Sequence, residues 1–187
     1  MPPKVKITRE DILATAIRII RRDGAEACNA RSVAVALHCS TQPVFSNFSS
    51  MADLRQAVIE RAYEIYLTQQ KEAMSKGDFP PYKASGMAYI RFAQEERHLF
   101  RLLFMRDRKA EDIGLPNPEL QAMSSLVQGQ LALSPDDARF FHLEMWVYVH
   151  GIASMIATDF LPWDWGLISR MLTDQYQAMA KQYAHKE

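Results

Sequence analysis

The one stretch with a chemically specific pattern is Ala30 to Phe48, ARSVAVALHCSTQPVFSNF. Gln42, Ser46 and Asn47 bring amides and a hydroxyl to the outside of a short helical turn, with no long acidic chain among them. Such groups meet base edges in the major groove, where an amide can pair bidentately with adenine. Arg31, Ser40 and Thr41 stand where they could hold a phosphate backbone, and Pro43 and Phe45 complete the same face. This is the chemistry of recognition, and signs of bond-making chemistry are missing. The chain has no glycine loop that would cradle phosphate, no His-Glu-x-x-His and no Gly-x-Ser-x-Gly. Glu95 and Glu96 are consecutive, so on a helix they point about 100° apart and make no paired-carboxylate site. Cys28 and Cys39 offer neither a disulfide framework nor metal-ligand spacing and read as small buried apolar residues. His98 and His150 lack a third ligand at suitable spacing. No enzyme activity, metal or cofactor is expected.

Two short helices and a tight turn must position these groups. The first runs over about two turns from Arg31 to Leu37, and the second from Thr41 to Asn47. Ser40 is a good N-cap for the second. Pro43 falls in its first turn, where a missing N–H has no intrahelical partner to lose. Ala34, Leu37 and Cys39 are expected to look inward, with Val44 and Phe48 closing the same small core. The pattern is that of a helix-turn-helix.

Around it the chain reads as helical throughout. Thr8-Arg9-Glu10-Asp11 begins like a capping box, and Ile12, Leu13, Ala16, Ile17 and Ile20 follow at helical spacing until Gly24. Ser50 to Asp53 opens a long helix reaching about Met74, broken by Gly77-Asp78-Phe79-Pro80-Pro81. Further helices are predicted over 82–95, 97–105, 117–133, 134–158 and 164–184. A loop is expected from Arg106 to Pro118, and a turn at Phe160-Leu161-Pro162-Trp163. No segment alternates as a strand does, so the fold class is all-α.

From about Ile7 to Tyr66 the sequence resembles the DNA-binding region of the TetR family of bacterial transcriptional regulators. The matching features run in order: Ile12, Ala16 and the Gly24 break; Arg31-Ser32-Val33-Ala34; Ser40 to Phe48 across the turn and recognition helix; then Ser50 to Leu54. Arg97 to Phe104 and the Trp-x-x-x-His-Gly run of Trp146, His150 and Gly151 are similar to the ligand-binding and dimerisation region of one branch. The resemblance implies a three-helix DNA-binding head over 1–66, joined by a long helix to an all-helical ligand-binding and dimerisation body over 67–187. It implies a homodimeric regulator on double-stranded operator DNA, most simply a repressor released by a small apolar or aromatic ligand. Three positions depart from the family's usual residues. His38 stands where glycine is usual, which implies either a positive φ there or a turn built differently; Phe45 replaces a phosphate-touching tyrosine, and Met51 a lysine.

Composition fits this division. Lys plus Arg equal Asp plus Glu at 22 each, so no global basic field marks a nucleic-acid partner. Residues 1–55 nevertheless carry 8 basic against 5 acidic residues, and the remainder 14 against 17. Lys4 and Lys6 lie on an arm ahead of the first helix. At 187 residues the chain can bury a sizeable core. No leader and no apolar run near the ~18 residues of a membrane span are seen, so a cytoplasmic protein with no membrane partner is expected.

In the body, bulky residues exceed what a core obviously requires. Phe92, His98, Phe100, Leu103 and Met123 could line an apolar cavity together with Val127, Met145, Trp146, Tyr148 and His150. Over 134–158, apart from a bulky face (Phe141, Met145, Tyr148, Ile152, Met155), a second stripe (Leu143, Val147, Gly151, Ser154, Thr158) shrinks towards small residues. With Ile168, Met171, Leu172 and Met179 of the final helix it suits a four-helix interface between two copies. The competing reading is a helical small-molecule carrier or enzyme whose helix-turn-helix binds no DNA. The basic head and the exposed polar groups of the second short helix argue against it.

Overall fold

The computed structural model describes residues 7–107, 118–160 and 163–184. The arm with Lys4 and Lys6, most of the expected loop after Arg106, and residues 161–162 of the expected turn lie outside them. Nine α-helices and one short 3-10 turn are present among the described residues, with no strand. Contacts divide the chain into two compact units, Met1–Leu67 with Glu96–Arg106, and Thr68–Glu95 with Asp107–Glu187. Residues 96–106 thus pack with the first unit, whereas the division at 66/67 gave them to the second. The 3.6-residue pattern that announces a helix carries no record of which unit its apolar face joins.

In the first unit, α1 (Arg9–Asp23) starts at a complete capping box: Thr8 Oγ1 accepts from Asp11 N–H, and the Asp11 carboxylate accepts from Thr8 N–H at 2.9 Å. Those bonds from Thr8 hold the Asp11 carboxyl below the usual carboxylate range. Ile12, Leu13, Ala16, Ile17 and Ile20 are buried, and Gly24 ends the helix at φ +89°. After the 3-10 turn Ala25–Ala27, Asn29 caps α2 (Ala30–Ala36) by accepting from the N–H groups of Arg31 and Ser32. α3 (Gln42–Asn47), the first half of α4 (Met51–Lys76) and α6 (Arg97–Phe104) complete the unit. α1 packs on α2, α3 and α6.

In the second unit, α5 (Pro81–Glu95) packs against α8 (Pro135–Ala157), α7 (Pro118–Leu131) against α8, and α9 (Trp165–Ala184) against α5 and α8. α5 buries residues on nearly every side, from Tyr82 and Ala84 to Phe92 and Ala93, as a central helix must. Tyr82, Met123, Val127, Phe141, Met145, Met179 and Tyr183 form one core cluster. Ser134 caps α8 by accepting from Asp137 N–H, and Asp164 caps α9 by accepting from Leu167 N–H at 2.8 Å.

Candidate nucleic-acid interface

The turn between α2 and α3 is built from backbone bonds. Cys39 N–H donates to Ala34 O at 3.0 Å and His38 N–H to Val35 O at 3.1 Å. These are the two bonds of a Schellman motif, which requires a left-handed residue just past the helix end. His38 fills that position at φ +52°, so of the two alternatives the turn takes the positive φ and is not built differently. Val33, Ala34, Val44 and Phe48 are buried, whereas Leu37 and Cys39 are only half-buried. The small core therefore uses Val33 where Leu37 and Cys39 were expected, because the helix ends before Leu37 and the reversal swings both away.

Ser40 is not the N-cap of α3. Thr41 occupies that position and makes no side-chain capping bond, because Pro43 removes one N–H from the first turn and Val44 N–H already bonds Thr41 O. Gln42, Phe45 and Ser46 face out, with Phe45 51 % exposed. Asn47 is half-buried, and its amide donates to Pro43 O at 2.9 Å. Ser46 Oγ likewise donates to Gln42 O at 2.9 Å. Arg31, Ser40 and Thr41 are exposed, and Pro43 is half-buried.

One side chain to which sequence assigns no role here fixes this helix. Arg9, from the first turn of α1, donates through Nη1 to Asn47 O at 3.0 Å. Its guanidinium also lies over the Phe48 ring, 3.9 Å from the centroid. A cation at a helix C-terminus satisfies an orphan carbonyl and opposes the helix dipole, and the flat guanidinium stacks on the aromatic face. A contact across 38 positions of sequence has no local signature. After α3, Ser50 Oγ accepts from Asp53 N–H, and the Asp53 carboxylate reaches back to Ser49 N–H at 2.9 Å. Met51 is half-buried and lines a cleft of about 320 Å³ with Ile20, Cys28, Arg55, Val58 and Leu102.

The residues expected to line a ligand cavity divide between the units. His98, Phe100 and Leu103 belong to the first, where His98 lies against Gly24, and Phe100 and Leu103 are buried. Phe92, Met123, Val127 and Met145 are buried in the second. Tyr148 is half-buried. Trp146 is 39 % exposed and stacks on His150, with centroids 5.2 Å apart and planes 16° apart. His150 Nδ1 is hydrogen-bonded to Tyr89 OH at 2.8 Å, and His142 Nδ1 to Tyr82 OH at 2.9 Å, two matching pairs along the α5–α8 contact. Burial lowers the His150 pKa and pushes the Tyr82 phenol up.

The outward stripe of α8 is open. Val147 is 59 % exposed and Leu143 47 %, Thr158 is exposed, and Gly151 and Ser154 are half-buried. A Cβ added at Gly151 would meet nothing beyond its own helix backbone within 4 Å. Phe140, 54 % exposed, extends the stripe. On α9 the expectation fails for three residues. Ile168, Leu172 and Met179 are buried within the chain itself, and only Met171 is half-buried. Their spacing is the core stripe of α9, which packs on α5 and α8; periodicity identifies such a stripe without saying whose core it enters. Among the described residues no group of His, Cys, Asp and Glu is arranged to hold a metal, and no helix is long and apolar enough to cross a membrane.

A family model described as tetracyclin repressor-like, C-terminal domain, matches residues 82–178, more than half of the chain. No curated protein sequence matches it. Among solved structures the fold is similar to the crystal structure of a TetR-like transcriptional regulator from Rhodococcus sp. RHA1, at 13 % identity over 100 % of both chains and a TM-score of 0.66. It is also similar to the multidrug binding protein EbrR complexed with imidazole, at 19 % identity over 89 % of this chain and 88 % of that chain, with a TM-score of 0.56.

Proposed function

As the chain belongs to the tetracyclin repressor-like family, we propose that it is a sequence-specific DNA-binding regulator of transcription, a homodimeric repressor that a small apolar or aromatic ligand releases from its operator. The observation that carries this reading is the outer face of α3. Gln42, Phe45 and Ser46 stand in solvent there, and no Asp or Glu occurs between Glu26 and Asp53. A surface of amides and hydroxyls free of carboxylates is what a polyanion and its base edges tolerate. Gln42, Ser46 and Asn47 are assigned to bases. Arg31, Ser40 and Thr41 are assigned to the backbone, with Pro43 and Phe45 completing the DNA-facing surface.

The open stripe of α8 supports a second copy as the partner, and two heads then engage two half-sites. EbrR is a multidrug binding protein solved with imidazole, which favours a small aromatic ligand in the second unit here, near Phe92, Met145 and His150. The Trp146, His150 and Gly151 run marks the branch of the family to which that unit belongs. Ligand and DNA prefer different arrangements of the dimer, so each weakens the other's binding by the same factor.

Selection of operator from a random DNA library tests the reading. The protein enriches a two-fold-related site, and Gln42→Ala relaxes preference at one base position per half-site, by about 1–3 kcal/mol of discrimination. Enrichment of no sequence would remove DNA recognition from the account. An equal loss on every sequence would make Gln42 a positioning residue.

A further inference from the structure

We propose that Phe45 reads the C5-methyl group of a thymine, so that α3 recognises an adenine through Gln42 and a thymine one or two base pairs away through Phe45. The inference rests on the DNA-binding reading above and specifies what that face selects. α3 has two large apolar residues that its own core uses, Val44 and Phe48, each 1 % exposed. Phe45 is not among them: its ring is 51 % exposed, on the same outer face as Gln42 and Ser46. The polar groups beside it are partly spent. Ser46 donates to Gln42 O, and the Asn47 amide to Pro43 O. Gln42 thus keeps the amide best able to pair with a base, and Phe45 supplies the largest free surface.

A phenyl ring neither donates nor accepts a conventional hydrogen bond. In the major groove the base-edge group it complements is the thymine methyl, the one apolar feature displayed there. Spacing agrees with paired reading. Side chains three apart on a helix have Cβ atoms about 5–6 Å apart, and base pairs are stacked about 3.4 Å apart. The two residues therefore fall on neighbouring or next-but-one base pairs. The setting suits DNA electrostatically, since Arg31 and Arg55 are exposed on the segments flanking α3 and the stretch between Glu26 and Asp53 holds no acid.

The test uses the full chain and an operator selected by it. Each thymine of the half-site is replaced in turn by deoxyuridine, which deletes the methyl group alone. Wild type should lose roughly fourfold in affinity per half-site at one position, the value of burying one methyl group, and little elsewhere. Phe45→Ala, folded by circular dichroism because the ring is exposed, should bind thymine and uracil operators equally. Phe45→Leu should keep part of the methyl preference. If no uracil substitution weakens wild type, or if Phe45→Ala still distinguishes thymine from uracil, the assignment is overturned while DNA recognition stands. If wild type enriches no sequence at all, both fall together.

Discussion

His38 carries the strain of the turn on which the placement of α3, the proposed reading helix, depends. Its left-handed backbone, φ +52°, lets Cys39 and His38 N–H groups reach Ala34 O and Val35 O. A residue with a Cβ adopts that conformation at a cost of roughly 1–2 kcal/mol, and glycine at almost none. The imidazole is exposed, so removing it uncovers no core. His38→Gly should therefore raise stability to unfolding by up to about 1 kcal/mol, less than the full strain because glycine also frees the unfolded chain. Urea denaturation of the two proteins measures it. A destabilised glycine variant would mean that the histidine side chain contributes a bond worth more than the strain it accepts. Ser46 and Asn47 show a related restraint. Both look available in sequence, yet each has a donor tied to its own helix, and neither bond can be read from residue type alone.

α3 is six residues long, too short to hold itself together in water. Its fixity comes from Val44 and Phe48 beneath it and from Arg9, which reaches from α1 to Asn47 O and covers the Phe48 ring. Arg9→Met removes the carbonyl bond and the cation but leaves an apolar chain over the ring. Affinity should fall by the same factor on selected and mismatched sites, because the helix is displaced and no base contact is lost. The slope of log affinity against log salt decides the role. A phosphate contact would cost about 0.9 of slope when removed, and a brace would leave it unchanged. Most helix limits were legible to within one or two residues, since caps such as Thr8, Ser134 and Asp164 are local and the apolar periods are strong. Asn29 was overlooked as a cap and Ser40 mistaken for one. Both errors lie in the few residues where bonds to the 3-10 turn and to Pro43's neighbours decide the geometry. The Arg9 brace could not be seen, because it joins residues far apart in sequence.

The proposed recognition of DNA by a six-residue helix depends on pairing two heads, since the second then binds at high effective concentration. The surface able to join two copies is the outer stripe of α8: Phe140, Leu143, Val147 and, further along, Gly151 and Ser154. Sequence separated this stripe from the bulky face of Phe141, Met145, Tyr148, Ile152 and Met155 because both recur on one long helix; Phe141, Met145 and Ile152 are buried, whereas Tyr148 is half-buried and Met155 is exposed. It failed on α9, where Ile168, Leu172 and Met179 proved to be buried at home. One apolar stripe on a helix is a core or an interface, and only two on the same helix indicate both. The proposed interface thus centres on α8, and the more open side of α9 at Met171 and Leu167 is the part of that helix left to join it. Gly151 lies within the stripe, and a Cβ there meets nothing beyond its own helix backbone within 4 Å. Gly151→Leu should leave each subunit folded while filling the space into which a second α8 would settle, twice per dimer by symmetry. Overpacking costs about 1–3 kcal/mol per site, enough to shift a dimer towards monomer at micromolar concentration. Sedimentation velocity should show a mainly monomeric variant with unchanged helical circular dichroism, and operator affinity should drop by one or more orders of magnitude. A variant that remains dimeric and binds its operator normally would move the subunit contact away from Gly151.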